Sequence, residues 1–243
     1  MPKINVYLPD DLAEAVKDTG VPVSAICQRA LEQAVRRITA IRQTAVAELD
    51  TDTLGAQFPQ LTPRARTVIA IAVGRARDGE ATGVGTGHLL GAMLAEGQNL
   101  ALHVLRAIEI DPDQVLRDLE RHGDTETSAP AAEVRFTGPA AAALELSVGE
   151  AISLGHNYVG CEHLLLGLAG EPDGTAGQVL RALGADLRVA RRGVAAALAG
   201  YVHLRASQAA ADPAQALAAA VRQELQPLIA RIERLEHTLE ARE

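Results

Sequence analysis

Aromatic side chains are nearly missing from this chain. Three tyrosines, two phenylalanines and no tryptophan make up 2% of 243 residues. A core with so little ring area must be filled by Ala, Leu and Val, a composition that favours helices over sheets. Hydrophobic residues reach 48%, enough for one large or two to three small domains. Lysine is as scarce. Lys3 and Lys17 stand alone against twenty-one arginines; with the heavy alanine use, this points to a GC-rich genome. A Gly-Lys-Ser/Thr phosphate loop needs its lysine after a strand, and no lysine lies beyond position 17, so P-loop ATPase chemistry is not expected. No apolar run approaches the ~20 residues of a membrane span. The opening "MPKINVYLPDD" lacks the apolar stretch of a signal peptide. The two cysteines, Cys27 and Cys161, fall in different segments and read as buried free thiols of a cytoplasmic protein.

The net charge of −8 is uneven. Residues 1–43 carry six Lys/Arg and five Asp/Glu, so any nucleic-acid contact is expected there. In "KINVYLP", Ile4, Val6 and Leu8 alternate with Lys3, Asn5 and Tyr7, the pattern of a strand. Asp10 can cap a short helix closed by Gly20, and Ser24 can cap the next, whose apolar face holds Ile26, Leu31, Val35 and Ile38. A lone strand needs a partner, and the same strand of a second copy is the simplest one.

Residues 44–60 read as a helix extension and linker. Beyond them the chain repeats itself. An offset of 75 residues places "LTPRARTVIAIAVGRARDGEATGVGTGHLLGAML", from Leu61, on "FTGPAAAALELSVGEAISLGHNYVGCEHLLLGLA", from Phe136, without a gap. Thr62 meets Thr137, Gly85 meets Gly160, His88 meets His163 and Asp111 meets Asp186. Such a self-match signals duplication of one unit. Each copy, 61–121 and 136–201, parses into about four helices, with Thr62 and Thr137 as caps. The polar "HGDTETSAPAAE" between them is a loop. From residue 202 onward, Leu217, Val221, Leu225, Leu228, Ile232, Leu235 and Leu239 approximate a heptad seam around Pro227. That C-terminal helix either pairs two chains or packs on its own body.

The first 43 residues resemble the ribbon-helix-helix family of bacterial repressors and antitoxins. The resemblance implies a homodimer whose outward strand residues Lys3, Asn5 and Tyr7 enter the DNA major groove, with the helix start near Ser24 on a phosphate. The other reading is that the ribbon only dimerises the chain. Residues 61–201, and "LGHNYVGCEHLLLGL" above all, resemble the Clp N-terminal domain, a double four-helix repeat at the front of Clp-family unfoldases. The ATPase modules of that family do not accompany it. The expected fold is therefore mainly α: one ribbon strand per chain, a double Clp N repeat and a C-terminal helix.

A metal or catalytic role for Cys161, His156 and His163 is not expected. Cys-x-His matches no zinc spacing, and residues i and i+2 of a helix diverge. The recurring His88 and His163 read as satisfied core residues. The Clp resemblance implies instead a pocket for phosphorylated arginine in each repeat, built from the Thr before the first helix and the Glu of "TEH". The second repeat keeps Thr137 and Glu162, with Arg135 close by to add positive charge; the first keeps Thr62 but has Gly87 in place of the Glu. The resemblance also implies an apolar surface for cyclic peptide antibiotics at Phe136, which in the other reading seals the two units together. The expected function is a non-enzymatic, DNA-binding transcriptional regulator with a Clp-type ligand sensor and no cofactor. The alternative is an adaptor or competitor in Clp-dependent proteolysis, partnered by Clp protease components, without DNA binding.

Overall fold

The computed structural model describes residues 7–45, 49, 54–79, 81–123 and 134–211. Among these it is all-helical, with two isolated backbone bridges and no extended strand. The first repeat comprises α4 (Pro63–Asp78), α5 (Thr86–Glu96), α6 (Leu100–Ala107) and α7 (Pro112–His122); the second comprises α8 (Gly138–Ser153), α9 (Cys161–Gly170), α10 (Thr175–Ala182) and α11 (Leu187–Ala211). The 75-residue offset seen in the sequence carries the ends of α4 onto those of α8 and the ends of α6 onto those of α10.

The caps explain why the boundaries coincide. Thr62 Oγ1 accepts from the Ala65 amide at 3.3 Å, and Thr137 Oγ1 accepts from the Ala140 amide at 3.2 Å. Each satisfies one amide that a helix start leaves orphaned. Asp111 and Asp186 do the same for Asp113 and Val189 at 3.1 and 2.8 Å. A second device recurs at α5 and α9. The Gly85 amide donates to His88 Nδ1 at 3.0 Å, and the Gly160 amide donates to His163 Nδ1 at 2.9 Å. The repeated histidine is thus a helix-start clasp.

The first two helices of each repeat pair as α4 on α5 and α8 on α9; of the third helices, α6 packs across on α9, and α10 lies against α5, α7 and α9. Gly167 permits the close approach of α9 to α8, where a Cβ would collide with Ser147 Oγ and the Ala143 carbonyl. The backbones also exchange between repeats. Leu61 bridges Val159, and Val84 bridges Phe136. Leu, Ile, Val and Ala from α4, α5, α8 and α9 fill the core, each large aliphatic contributing ~1.5–3 kcal/mol by burial.

The N-terminal segment contributes α1 (Asp10–Thr19) and α2 (Val23–Ala45). Gly20, at φ 62, closes α1 with its amide on the Val16 carbonyl. Ser24 lies inside α2 rather than before it, because the helix already begins at Val23; it is not a cap. The strand expected over residues 3–8 falls mostly on residues 1–6, outside the described residues. Tyr7 is 94% exposed and Leu8 is also exposed. The C-terminal half of α2 docks on α8. Ile41 is buried there, Arg42 grips Glu145 through Nε and Nη2 at 2.9 and 2.6 Å, and Arg37 Nη1 donates to the His156 carbonyl at 3.0 Å. The stretch read as a linker is partly core: Leu49, Leu54 and Phe58 are buried, and Leu54–Gln57 forms the short helix α3. The chain divides into units 1–191 and 192–243. Of the second, the described part is the continuation of α11 to Ala211. The heptad seam lies outside the described residues.

Candidate ligand-binding site

The two bridges decide which site residues meet. The Thr62 amide donates to the Val159 carbonyl at 3.0 Å, and the Val159 amide donates to the Gln60 carbonyl at 2.8 Å. In the other half, the Thr137 amide donates to the Val84 carbonyl at 3.0 Å, and the Val84 amide to the Arg135 carbonyl at 2.8 Å. The start of α4 therefore lies against the entry of α9, and the start of α8 against the entry of α5. Glu162 follows Val159 into α9, so its neighbour is the Thr62 end of the first repeat. Thr137 caps the opposite end of the 16-residue α8, roughly 24 Å of helix from the turn leading to Glu162. Thr137 and exposed Arg135 sit instead beside Val84, towards Gly87. The start of α4 thus lies beside the turn that leads to Glu162, and the start of α8 beside the turn that leads to Gly87.

Glu162 is 5% exposed, and its carboxylate curls over Gly160, where a Cβ would collide with it. Burial pushes its carboxyl above the usual range, opposed by its own backbone amide and by His156. Arg64, in the first turn of α4, pairs with Glu96 Oε1 at 2.7 Å. Glu96 is held below the usual carboxylate range: hydrogen bonds from Asn99, Arg64 and Gln98 outweigh its desolvation. Cys161 shares this corner. Its thiol is pushed up to about 12, first by burial, then by the negative charges of Glu162 and Glu96, against Arg64. Such a thiol holds its proton at neutral pH and is a poor nucleophile.

His156, Glu162 and His163 place potential ligand atoms within 4.8 Å of one another. The geometry is that of a hydrogen-bonded cluster. His163 Nδ1 accepts from the Gly160 amide, so the ring proton sits on Nε2, which faces His156 Nδ1 at 2.8 Å. Two imidazoles on one tetrahedral zinc stand roughly 3.3 Å apart, given bonds of about 2.0–2.1 Å. Glu162 Oε1 meets His163 at the Nδ1 edge, 3.4 Å away, on the other side of the ring. Tyr158 stacks on His156 with centroids 5.0 Å apart. Burial holds His163 down at about 4, so the ring is neutral at physiological pH.

Phe136 is 6% exposed and meets Phe58 edge-on, with centroids 6.3 Å apart. The ring lies within the packing between the bridge and the segment preceding α4. Phe58 is the partner that the repeats alone do not reveal; its signal is that it is the other of the two phenylalanines in the chain. Of the N-terminal residues singled out for DNA, Lys3 and Asn5 lie outside the described residues, while Tyr7 is exposed and Ser24 sits in the first turn of α2.

Residues 60–183 and 135–226 match the Clp repeat (R) N-terminal domain family. Chaperone protein ClpC1, chloroplastic, of Oryza sativa subsp. japonica is 40% identical over 131 residues, which is 54% of this chain and 14% of that protein. The chloroplastic ClpA homolog, ATP-binding subunit of the ATP-dependent Clp protease, of Brassica napus is 40% identical over 131 residues, 54% of this chain and 15% of its own. The matched stretch thus spans only a small part of these relatives. Among solved structures, the N-terminal domain of the chaperone ClpD from Arabidopsis thaliana superposes with a TM-score of 0.48 at 23% identity, covering 58% of this chain and 96% of that one. The chain belongs to the Clp repeat N-terminal domain family.

Proposed function

We propose that this protein is a ligand-recognition module that acts as an adaptor or competitor in Clp-dependent proteolysis. It would capture guanidinium-bearing ligands of the phosphoarginine type in one pocket per chain. The observation that carries this reading is Glu162, a buried carboxylate at the entry of α9, set against the capped start of α4. A buried carboxylate whose neighbours are imidazoles is costly to ionise, and a guanidinium is the planar cation that matches it best. The first turn of α4 adds the orphan amides and dipole that favour a phosphate. The mirror-image corner, where Thr137 faces the Gly87 side, lacks the carboxylate.

Calorimetry with free phosphoarginine tests the reading. One site per chain is expected, lost in Glu162→Ala and weakened in Thr62→Val. Two equal sites, or binding that survives Glu162→Ala, would overturn it.

A second reading is favoured by a different observation. Leu12, Ile26, Leu31 and Val35 on α1 and α2 are all about half exposed, so an apolar face stands uncovered in the single chain. This supports self-association of the N-terminal segment and, through it, a DNA-binding dimer using Lys3, Asn5 and Tyr7. Light scattering of Val35→Asp and an electrophoretic shift with the protein's own upstream DNA test the two halves of that reading. A wild-type monomer that leaves the DNA unshifted would remove it.

A further inference from the structure

A cavity of about 190 Å³ opens between the first repeat and the start of α10; Gly87 lines it, but neither Thr62 nor Glu162 does. It is lined by Arg75 of α4, His88 and Gly91 of α5, and Leu116, Leu119 and Glu120 of α7, with Gly87, Gly123 and Thr175 completing the wall. Two glycines create the space. Across the 75-residue offset, Gly87 and Gly91 correspond to Glu162 and Leu166, whose side chains are buried in the second repeat. The Arg75 guanidinium lies over Gly91, its nearest atoms 3.5 Å from where a Cβ would stand.

The charges differ between the copies in the same way. Arg75 and Leu116 correspond to Glu150 and Arg191, which bond to each other, Nε to Oε2 at 2.8 Å. The second repeat thus neutralises its own charge. In the first, Arg75 and Glu120 are both exposed and line the same open cavity, and among the described residues neither side chain has an ion pair or hydrogen bond, so both charges are held by solvent. Leu116 and Leu119 supply an apolar wall between them.

We infer that this cavity binds a free aliphatic α-amino acid. The carboxylate pairs with Arg75, the ammonium with Glu120, and the side chain lies on Leu116 and Leu119. Size argues for a small molecule: 190 Å³ falls below the ~300–1,000 Å³ of pockets for drug-sized ligands. Charge argues for a zwitterion. A dianion such as phosphate would be repelled by Glu120, and a simple cation by Arg75. A ligand carrying both signs satisfies both groups.

The test is titration calorimetry of the full chain with leucine, N-acetylleucine and leucinamide. Leucine should bind once per chain, and each blocked analogue about tenfold or more weaker, since each loses one charge-assisted contact. Arg75→Gln and Glu120→Gln should weaken leucine binding by a similar factor. Gly91→Leu, which restores the side chain found in the second repeat, should abolish it; far-UV circular dichroism checks that this variant folds. Glu162→Ala should leave leucine binding unchanged, which separates this cavity from the phosphoarginine pocket. Absence of heat with leucine would overturn the inference. So would equal binding of either blocked analogue, or binding unaffected by Arg75→Gln and Gly91→Leu.

Discussion

The amide of Thr62 and the carbonyl of Val159 meet at 3.0 Å, a contact between residues nearly a hundred positions apart. Thr137 and Val84 repeat it at the same distance. Proline at Val159 or at Val84 removes the amide that donates to the Gln60 or the Arg135 carbonyl in its bridge, at ~0.5–1.5 kcal/mol each. Urea denaturation of Val159→Pro and Val84→Pro should show losses of similar size. A loss confined to one variant would mean that the two bridges are not equivalent in solution.

Acid should weaken the fold through His163. Its folded-state value, about 4, lies below the ordinary 6.5, so the unfolded chain binds the extra proton first. The sign follows from linkage: this contribution is complete above pH 6.5 and is lost as pH falls from there towards about 4. The shift corresponds to roughly 3 kcal/mol. Around the ring stand His156, Tyr158, Glu162 and the Gly160 amide. His163→Gln should flatten the stability profile over this window, read by thermal melts at stepped pH.

Glu162 acts in the opposite sense. Its carboxyl is raised by burial, so its ionisation costs stability as pH climbs from 4.5 through its folded-state value. Glu162→Gln should therefore be as stable as the wild type or more so at neutral pH, while losing phosphoarginine. A stable variant that no longer binds separates recognition from folding. Combined with His163→Gln, it also isolates each pH slope.

Glycine at position 167 is required by packing. Gly167→Ala drives a methyl into Ser147 Oγ and the Ala143 carbonyl, and overpacking of this kind typically costs ~1–3 kcal/mol. Gly149 lies in the interior of α8, and a methyl added there would meet nothing within 4 Å, so Gly149→Ala should stabilise by about 0.5–1 kcal/mol. Differential scanning calorimetry should move the two melting temperatures in opposite directions.

The duplication, the caps at Thr62 and Thr137, and the helical class were all legible, because each rests on local chemistry: a hydroxyl, a nearby proline and a periodic apolar stripe. The pairing of the copies was not. The residues before α4 and α8 are alike, and so are those before α5 and α9. Nothing in the sequence states whether Glu162 meets the threonine of its own repeat or of the other. Pairing Thr137 with Glu162 rests on their belonging to one repeat, while the crossed bridges set the start of α4 beside the turn that leads to Glu162. The burial of Leu49, Leu54 and Phe58 was hidden for a related reason. A short run holding Gly55 and Pro59 reads as a tether unless the groove that receives it is known. His88 and His163 were read as core residues; their capping of Gly85 and Gly160 needed coordinates, since histidine is an uncommon partner for a helix start.

The crossed bridges tie the history of the molecule to its mechanics. Each copy borrows backbone partners from the other, so a cut between them leaves two sets of amides and carbonyls without those partners. Selection on shape therefore acts on the pair. Selection on chemistry is free to act on one corner at a time. A glutamate can be kept beside one threonine and exchanged for glycine beside the other, and the frame that holds both corners barely registers the change. Divergence of this kind lets two copies of one unit carry unlike corners on the same frame.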